Sequence, residues 1–223
     1  TAVPIDFMSL PGEVAYILND SRPEVIFIPQ EYVEIFDKIE SELLYPIKVI
    51  IFEEISEDFE KFEALDFEQT DMEKTAVITY TSGTTGNPKG VMLSFENILK
   101  NLEGVCDYVK IYTPERTTLV LLPMHHILPL IGSFVAPLFA GGTMAFSPSM
   151  VFEDIIATLQ NNKVAIMIGV PRLYEAIRKG VMDKIHKNTV ASMLFKVAKS
   201  VNSKSFSRKV FGAVHAKFGG NVQ

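Results

Sequence analysis

Several absences narrow the reading of this 223-residue chain before any motif is considered. It holds one cysteine, Cys106, so no internal disulfide can form and a disulfide-stapled secreted scaffold is excluded. It lacks a basic excess, since the net charge is -6, and that argues against a general nucleic-acid binder. Its opening residues, Thr1-Ala2-Val3-Pro4, carry neither a basic n-region nor a cleavage site of the secretory kind. One stretch, between Arg116 and Glu153, contains no Asp, Glu, Lys or Arg. Pro123, Pro129, Pro137 and Pro148 interrupt it, as do His125, His126 and the Gly141-Gly142 pair. The longest helical candidate inside it, Ile127 to Ala140, is too short to cross a bilayer.

What remains is an ordinary globular composition, with 48% hydrophobic and 22% charged residues, enough to exclude disorder, collagen and coiled coil. At this length the chain buries a large core without metal or disulfide support. Carboxylates dominate from Glu31 to Glu73, whereas from Arg172 onward only Glu175 and Asp183 oppose a run of basic residues. This basic face is expected either to be simply solvated or to make a peripheral contact with anionic membrane.

Short apolar, β-branched runs alternate with helix-period runs. Strands are expected at Val25–Ile28, Lys48–Phe52, Ala76–Tyr80, Thr117–Leu122, Thr143–Phe146 and Val164–Ile168, several of them apolar on both faces. Helices are expected at Gly12–Asn19, Glu31–Glu42, Phe95–Tyr108, Ile127–Ala140 and Phe152–Asn161, with Ser94 as an N-cap. Two further amphipathic helices follow, one on Leu173, Ile177, Val181 and Ile185, the other on Val190, Met193, Leu194, Val197 and Val201. The pattern predicts an α/β fold of mostly parallel sheets with helices on both faces.

The segment Tyr80 to Val91, YTSGTTGNPKGV, carries the chemistry. It leaves the strand Ala76–Tyr80 and leads into a short strand, Val91–Leu93. Gly83 and Gly86 allow close backbone approach, Thr81, Ser82, Thr84 and Thr85 supply hydroxyls, and successive amides can form an anion nest. Pro88 restricts the turn and Lys89 ends it with an ammonium. Many neutral donors and one mobile positive charge suit a polyphosphate. The spacing is neither a Walker A loop nor a G-x-G-x-x-G fingerprint.

The segment Ile78 to Gly90 resembles the phosphate-binding signature of the adenylate-forming superfamily, which includes acyl-CoA synthetases, luciferases and peptide-synthetase adenylation domains. Val3-Pro4-Ile5-Asp6 with Glu13 to Ser21 is similar to the stretch upstream of that loop. Leu122-Pro123-Met124-His125-His126 resembles the family's Leu-Pro-x-x-His motif, with His126 as the motif histidine and His125 structural. Gly169 to Tyr174, containing Val170-Pro171-Arg172, resembles the long-chain acyl-CoA synthetase branch. A Phe-Asp-x-Ser type segment, expected of peptide-synthetase domains, does not stand where Pro123 to His126 does.

The resemblance implies ATP-dependent activation of a fatty, long-chain carboxylic acid through an acyl-adenylate to a coenzyme A thioester. ATP, Mg²⁺ and coenzyme A are the implied cofactors. Thr81, Ser82, Gly83, Thr84, Thr85, Gly86 and Lys89 would cradle the phosphates, Thr81 would help hold Mg²⁺, and His126 would line the acyl side. Lys89 and His126 are thus the expected catalytic residues; Arg172 either anchors a carboxylate or serves the helix start. Alternatives are adenylation of an aryl or amino acid, or a non-catalytic nucleotide or lipid-surface module. The Tyr-Gly-x-Thr-Glu and Thr-Gly-Asp motifs and the C-terminal domain with its catalytic lysine are missing. The chain therefore reads as residues 1–223 of an incomplete AMP-binding N-terminal domain, an upstream αβ segment over 1–74 and a phosphate-loop and acyl-pocket segment over 75–223. As such a fragment it is expected to lack ligase turnover and to self-associate through exposed edges. A cytoplasmic location, peripheral at the inner membrane surface, completes the expectation.

Overall fold

The computed structural model describes residues 1–55, 71–81, 87–201, 212 and 220, and the chain divides into two compact units, Thr1–Asn101 and Leu102–Gln223. In the first unit, helix α1 (Pro11–Ser21) precedes strand β1 (Val25–Ile28), helix α2 (Val33–Glu40) and strand β2 (Lys48–Ile51). Pro11 starts α1 where its missing N–H costs nothing, and the Glu13 carboxylate accepts the Leu10 N–H at 3.0 Å. Strands β1 and β2 pair in parallel, Val25 opposite Lys48 through Ile28 opposite Ile51. Ala15 and Leu18 of α1 meet Ile28, Phe36 and Ile39 in one buried cluster. Each of the four larger side chains contributes about 1.5–3 kcal/mol by leaving water.

A second, antiparallel sheet closes this unit: β3 (Thr75–Thr81) with β4 (Lys89–Ser94). The chain start lies along β3, where Ala2 bridges Val77 in parallel. The expected strand at Val91–Leu93 therefore extends from Lys89 to Ser94 and turns back on its predecessor. Ser94 caps helix α3 (Phe95–Glu103): its Oγ accepts the Asn97 N–H at 3.2 Å, and Asn97 Oδ1 accepts the Ser94 N–H at 3.1 Å. Two orphan donors of the first turn are thereby satisfied reciprocally.

The second unit is built on a parallel sheet in the order β6-β5-β7, from β5 (Thr117–Val120), β6 (Thr143–Phe146) and β7 (Ile166–Met167). Central β5 is almost wholly buried, as its apolar sequence on both faces requires. Helix α6 (Phe152–Asn161) and helix α7 (Pro171–Lys187) cover it, so that Leu119, Ala145, Ile155, Leu159, Val164, Leu173 and Ile177 form one core. Helix α8 (Thr189–Val201) follows α7, with the Asn188 side chain accepting the Ala191 N–H at its start. Among the described residues no helix is long and apolar enough to cross a membrane.

Two expected helices take a wider form. The run Ile127–Ala140 consists of α4 (Ile127–Pro129), a π-helical segment Leu130–Val135 and α5 (Ala136–Phe139). Pro137 has no N–H to return to the carbonyl of residue 133, so the regular ladder cannot close there. Likewise α3 continues as a π turn over Gly104–Tyr108. The strand expected over Val164–Ile168 is regular only at Ile166–Met167, because only those residues share a register with β5.

Candidate functional site

Thr81 and Lys89, two described residues of the loop motif, sit at the open mouth of the β3–β4 hairpin. Antiparallel register sets Thr81 opposite Lys89 and Tyr80 opposite Gly90. Directly opposed residues project to the same side of a sheet, while neighbours along a strand alternate. Thr81 and Lys89 therefore share one face with Thr79 and Val77, both of which are buried. Tyr80 and Gly90 share the other face with Ile78 and Met92. Thr81 and Lys89 are both exposed. The Thr81 hydroxyl donates to the Lys89 carbonyl at 3.5 Å, long enough to be exchanged readily for a ligand oxygen. A hydroxyl and an ammonium thus flank the two ends of the loop. Ser82, Gly83, Thr84, Thr85 and Gly86 lie outside the described residues.

A bond that sequence reading missed lies just behind the mouth of this hairpin. Tyr80 Oη donates to Asp20 Oδ2 at 2.7 Å, joining the last strand residue before the loop's flank to the end of α1. Burial first, then this bond to the carboxylate, raises the Tyr80 hydroxyl well above its ordinary pKa. The signal in the sequence was an aspartate in the last turn of a helix that has no basic residue there, a position the helix dipole disfavours.

In the second unit His126 is the exposed N-cap residue of α4, and its carbonyl accepts the Leu130 N–H at 3.1 Å. His125, read from sequence as structural, has its Nε2 3.0 Å from Nε2 of His126, with ring centroids 4.1 Å apart. At that separation one ring nitrogen donates and the other accepts, so the tautomers of the two imidazoles are linked. Arg172 is exposed at the second position of α7, after Pro171. Nearby, Tyr174 Oη donates to the Met167 carbonyl at 3.2 Å, closing the turn from β7 into α7.

Among the described residues no group of three His, Cys, Asp or Glu could hold a metal ion. Magnesium commonly rides on substrate phosphates with one or two protein oxygens. The single hydroxyl of Thr81 fits that role, as one ligand to an ion carried in by phosphate, and does not make a metal site by itself.

The mouth of the β3–β4 hairpin thus presents a hydroxyl, from Thr81, and an ammonium, from Lys89, on one face of the sheet. The family model for AMP-binding enzymes matches residues 1–222, and the chain belongs to that family. The human mitochondrial malonate–CoA ligase is 31% identical over 180 residues, covering 78% of this chain and 31% of that protein. The human long-chain-fatty-acid–CoA ligase ACSBG2 is 33% identical over 143 residues, covering 61% of this chain and 21% of that protein. ATP-bound MatB from Rhodopseudomonas palustris shares the fold, with a TM-score of 0.66 at 24% identity over 78% of this chain and 35% of that one. The chain thus spans between about a fifth and a third of the length of these relatives.

Proposed function

We propose that this chain forms the triphosphate-gripping part of an ATP-dependent, AMP-forming ligase that joins a carboxylic acid to the thiol of coenzyme A. The observation that carries the reading is the placement of Thr81 and Lys89 on one face at the two ends of the loop. In that reaction a carboxylate oxygen bonds to the α-phosphorus of ATP, the bond from that phosphorus to its bridging oxygen breaks, and pyrophosphate leaves with the electron pair. The sulfur of coenzyme A then bonds to the acyl carbon, AMP departs, and the thiol proton passes to solvent. The protein's task in the first step is to offset charge that accumulates on pyrophosphate, using donors ordered beforehand. Lys89 supplies a full positive charge there, and the Thr81 hydroxyl contacts the phosphates or a Mg²⁺ ion they carry. Ser82, Gly83, Thr84, Thr85 and Gly86 complete the cradle, and His126 borders the acyl group.

Two acids compete as substrate. Val170-Pro171-Arg172 favours a long-chain fatty acid, as in the ACSBG2 relative. The malonate–CoA ligase relatives align over more of the chain, and the exposed guanidinium of Arg172 suits the second carboxylate of a short diacid. Helix α8 leaves Val190, Met193, Leu194 and Val197 exposed, which supports peripheral contact with anionic lipid.

The test is ATP binding measured calorimetrically with Mg²⁺ present. Lys89→Ala is expected to weaken it about 10- to 100-fold, the loss of one charge-assisted contact. Unchanged affinity in that variant would overturn the assignment of the loop.

A further inference from the structure

Gly90 closes the loop motif, and its backbone needs no glycine on conformational grounds, since it is not among the positive-φ residues. The reason lies in what stands above it. A Cβ there would lie 2.9 Å from Ile78 Cγ2, 3.1 Å from Tyr80 Cζ and 3.3 Å from Tyr80 Oη. The Tyr80 ring thus crosses over Gly90 from the opposing strand, and its hydroxyl goes on to Asp20 at the end of α1. The missing side chain at Gly90 is the socket for the aromatic ring of Tyr80. Asp20 is exposed in the last turn of α1, where no basic residue stands, and there its carboxylate accepts the Tyr80 hydroxyl.

We infer that Tyr80 and Asp20 are positioning residues: together with the bare backbone of Gly90 they clamp the hairpin mouth, so that Thr81 and Lys89 stand ready-placed for a triphosphate. This rests on the triphosphate reading above and adds to it how the loop's two ends are held in register. Neither side chain shares the Thr81–Lys89 face, so neither need touch the nucleotide. Pre-ordering matters because donors that must be immobilised on binding weaken affinity by the entropy they lose.

Amide hydrogen exchange over residues 79–81 and 87–91, in the absence of nucleotide, reads the clamp directly. Tyr80→Phe and Asp20→Ala should each speed exchange there about fivefold or more, and the double variant should be no faster than either single one. Asp20→Asn keeps an acceptor and should stay within about twofold of the parent chain. Calorimetry with MgATP should show a parallel loss of about five- to tenfold for Tyr80→Phe and recovery in Asp20→Asn. Unchanged exchange at the mouth in both single variants overturns the clamp. So does an equal rise across β1 and β2, which would mark general destabilisation, or, where Lys89→Ala does lose ATP affinity, unaltered affinity in Tyr80→Phe beside faster exchange. Lys89→Ala separates the two ideas: if it leaves ATP affinity intact while the exchange results hold, the triphosphate reading fails and the clamp stands.

Discussion

Replacing Gly90 with alanine sets two effects against each other, and the structure decides the sign. Alanine in a strand gains about 0.5–1 kcal/mol over glycine, because less backbone entropy is lost on folding. Against this, the new methyl must enter a space already held at 2.9 Å by Ile78 Cγ2 and at 3.1 Å by the Tyr80 ring. Ile78 is β-branched and cannot swing its Cγ2 away without leaving its rotamer. Tyr80 can move, but its hydroxyl then leaves Asp20. Overpacking of this kind costs about 1–3 kcal/mol, so the net loss should be about 1–2 kcal/mol. For a chain of this size that corresponds to a fall of about 3–6 °C in Tm. Urea denaturation of Gly90→Ala supplies the first number. Repeating the substitution in a Tyr80→Ala background supplies the second, and there the loss should shrink by about 1 kcal/mol, because half the obstruction is gone. A neutral or stabilising Gly90→Ala, or an identical loss in both backgrounds, would refute the reasoning that the ring occupies this space.

Three further outcomes follow from the same kind of accounting. Thr118 on β5 is fully buried and its Oγ1 has no hydrogen-bond partner among the described residues, so Thr118→Val should leave stability unchanged or raise it by about 1 kcal/mol in urea, and a loss would show that the hydroxyl is bonded. A Cβ on Gly132, in the π-helical segment, would collide with Ile168 Cδ1 and lie 3.2 Å from Tyr112 Oη, so Gly132→Ala should cost about 1–3 kcal/mol and Ile168→Val should recover part of it. An unaltered Tm in Gly132→Ala would contradict that packing. Burial raises the hydroxyl pKa of Tyr45, Tyr80 and Tyr112 above the ordinary 10.0, so the folded chain holds these protons more tightly than the unfolded one. Stability from this source is complete below about pH 10 and falls as pH rises beyond it; in Tyr80→Phe the fall between pH 9 and pH 11 should be shallower, and an equal slope would show that Tyr80 is not held in this way.

Local pattern carried the fold a long way and then stopped for identifiable reasons. Val25–Ile28 and Thr143–Phe146 match their expected spans, because each is a compact β-branched or apolar run bounded by a polar residue on one side and by Pro29 or Gly142 on the other. Ser94 announced its helix because a cap acts within three residues of itself. The π-helical segments escaped notice: their apolar spacing is that of a helix, and only the missing N–H of Pro137 hints that the ladder must widen. The loop motif marked Thr81 and Lys89 as candidates, but their common face depends on the antiparallel register of β3 and β4, which no short window encodes. Tyr80 and Asp20 are sixty residues apart, and nothing in either neighbourhood names the other. The pairing of His125 with His126 was hidden for the opposite reason: the two are adjacent, and it is the turn over Met124 and His125 that brings their rings together.

The central claim, that the hairpin mouth grips the phosphate tail of a nucleotide, is tested most directly with a ligand that has only that tail. Inorganic tripolyphosphate with Mg²⁺, titrated calorimetrically, should bind this chain, compete with ATP, and weaken sharply in Lys89→Ala. Binding of ATP that tripolyphosphate fails to displace would contradict the account.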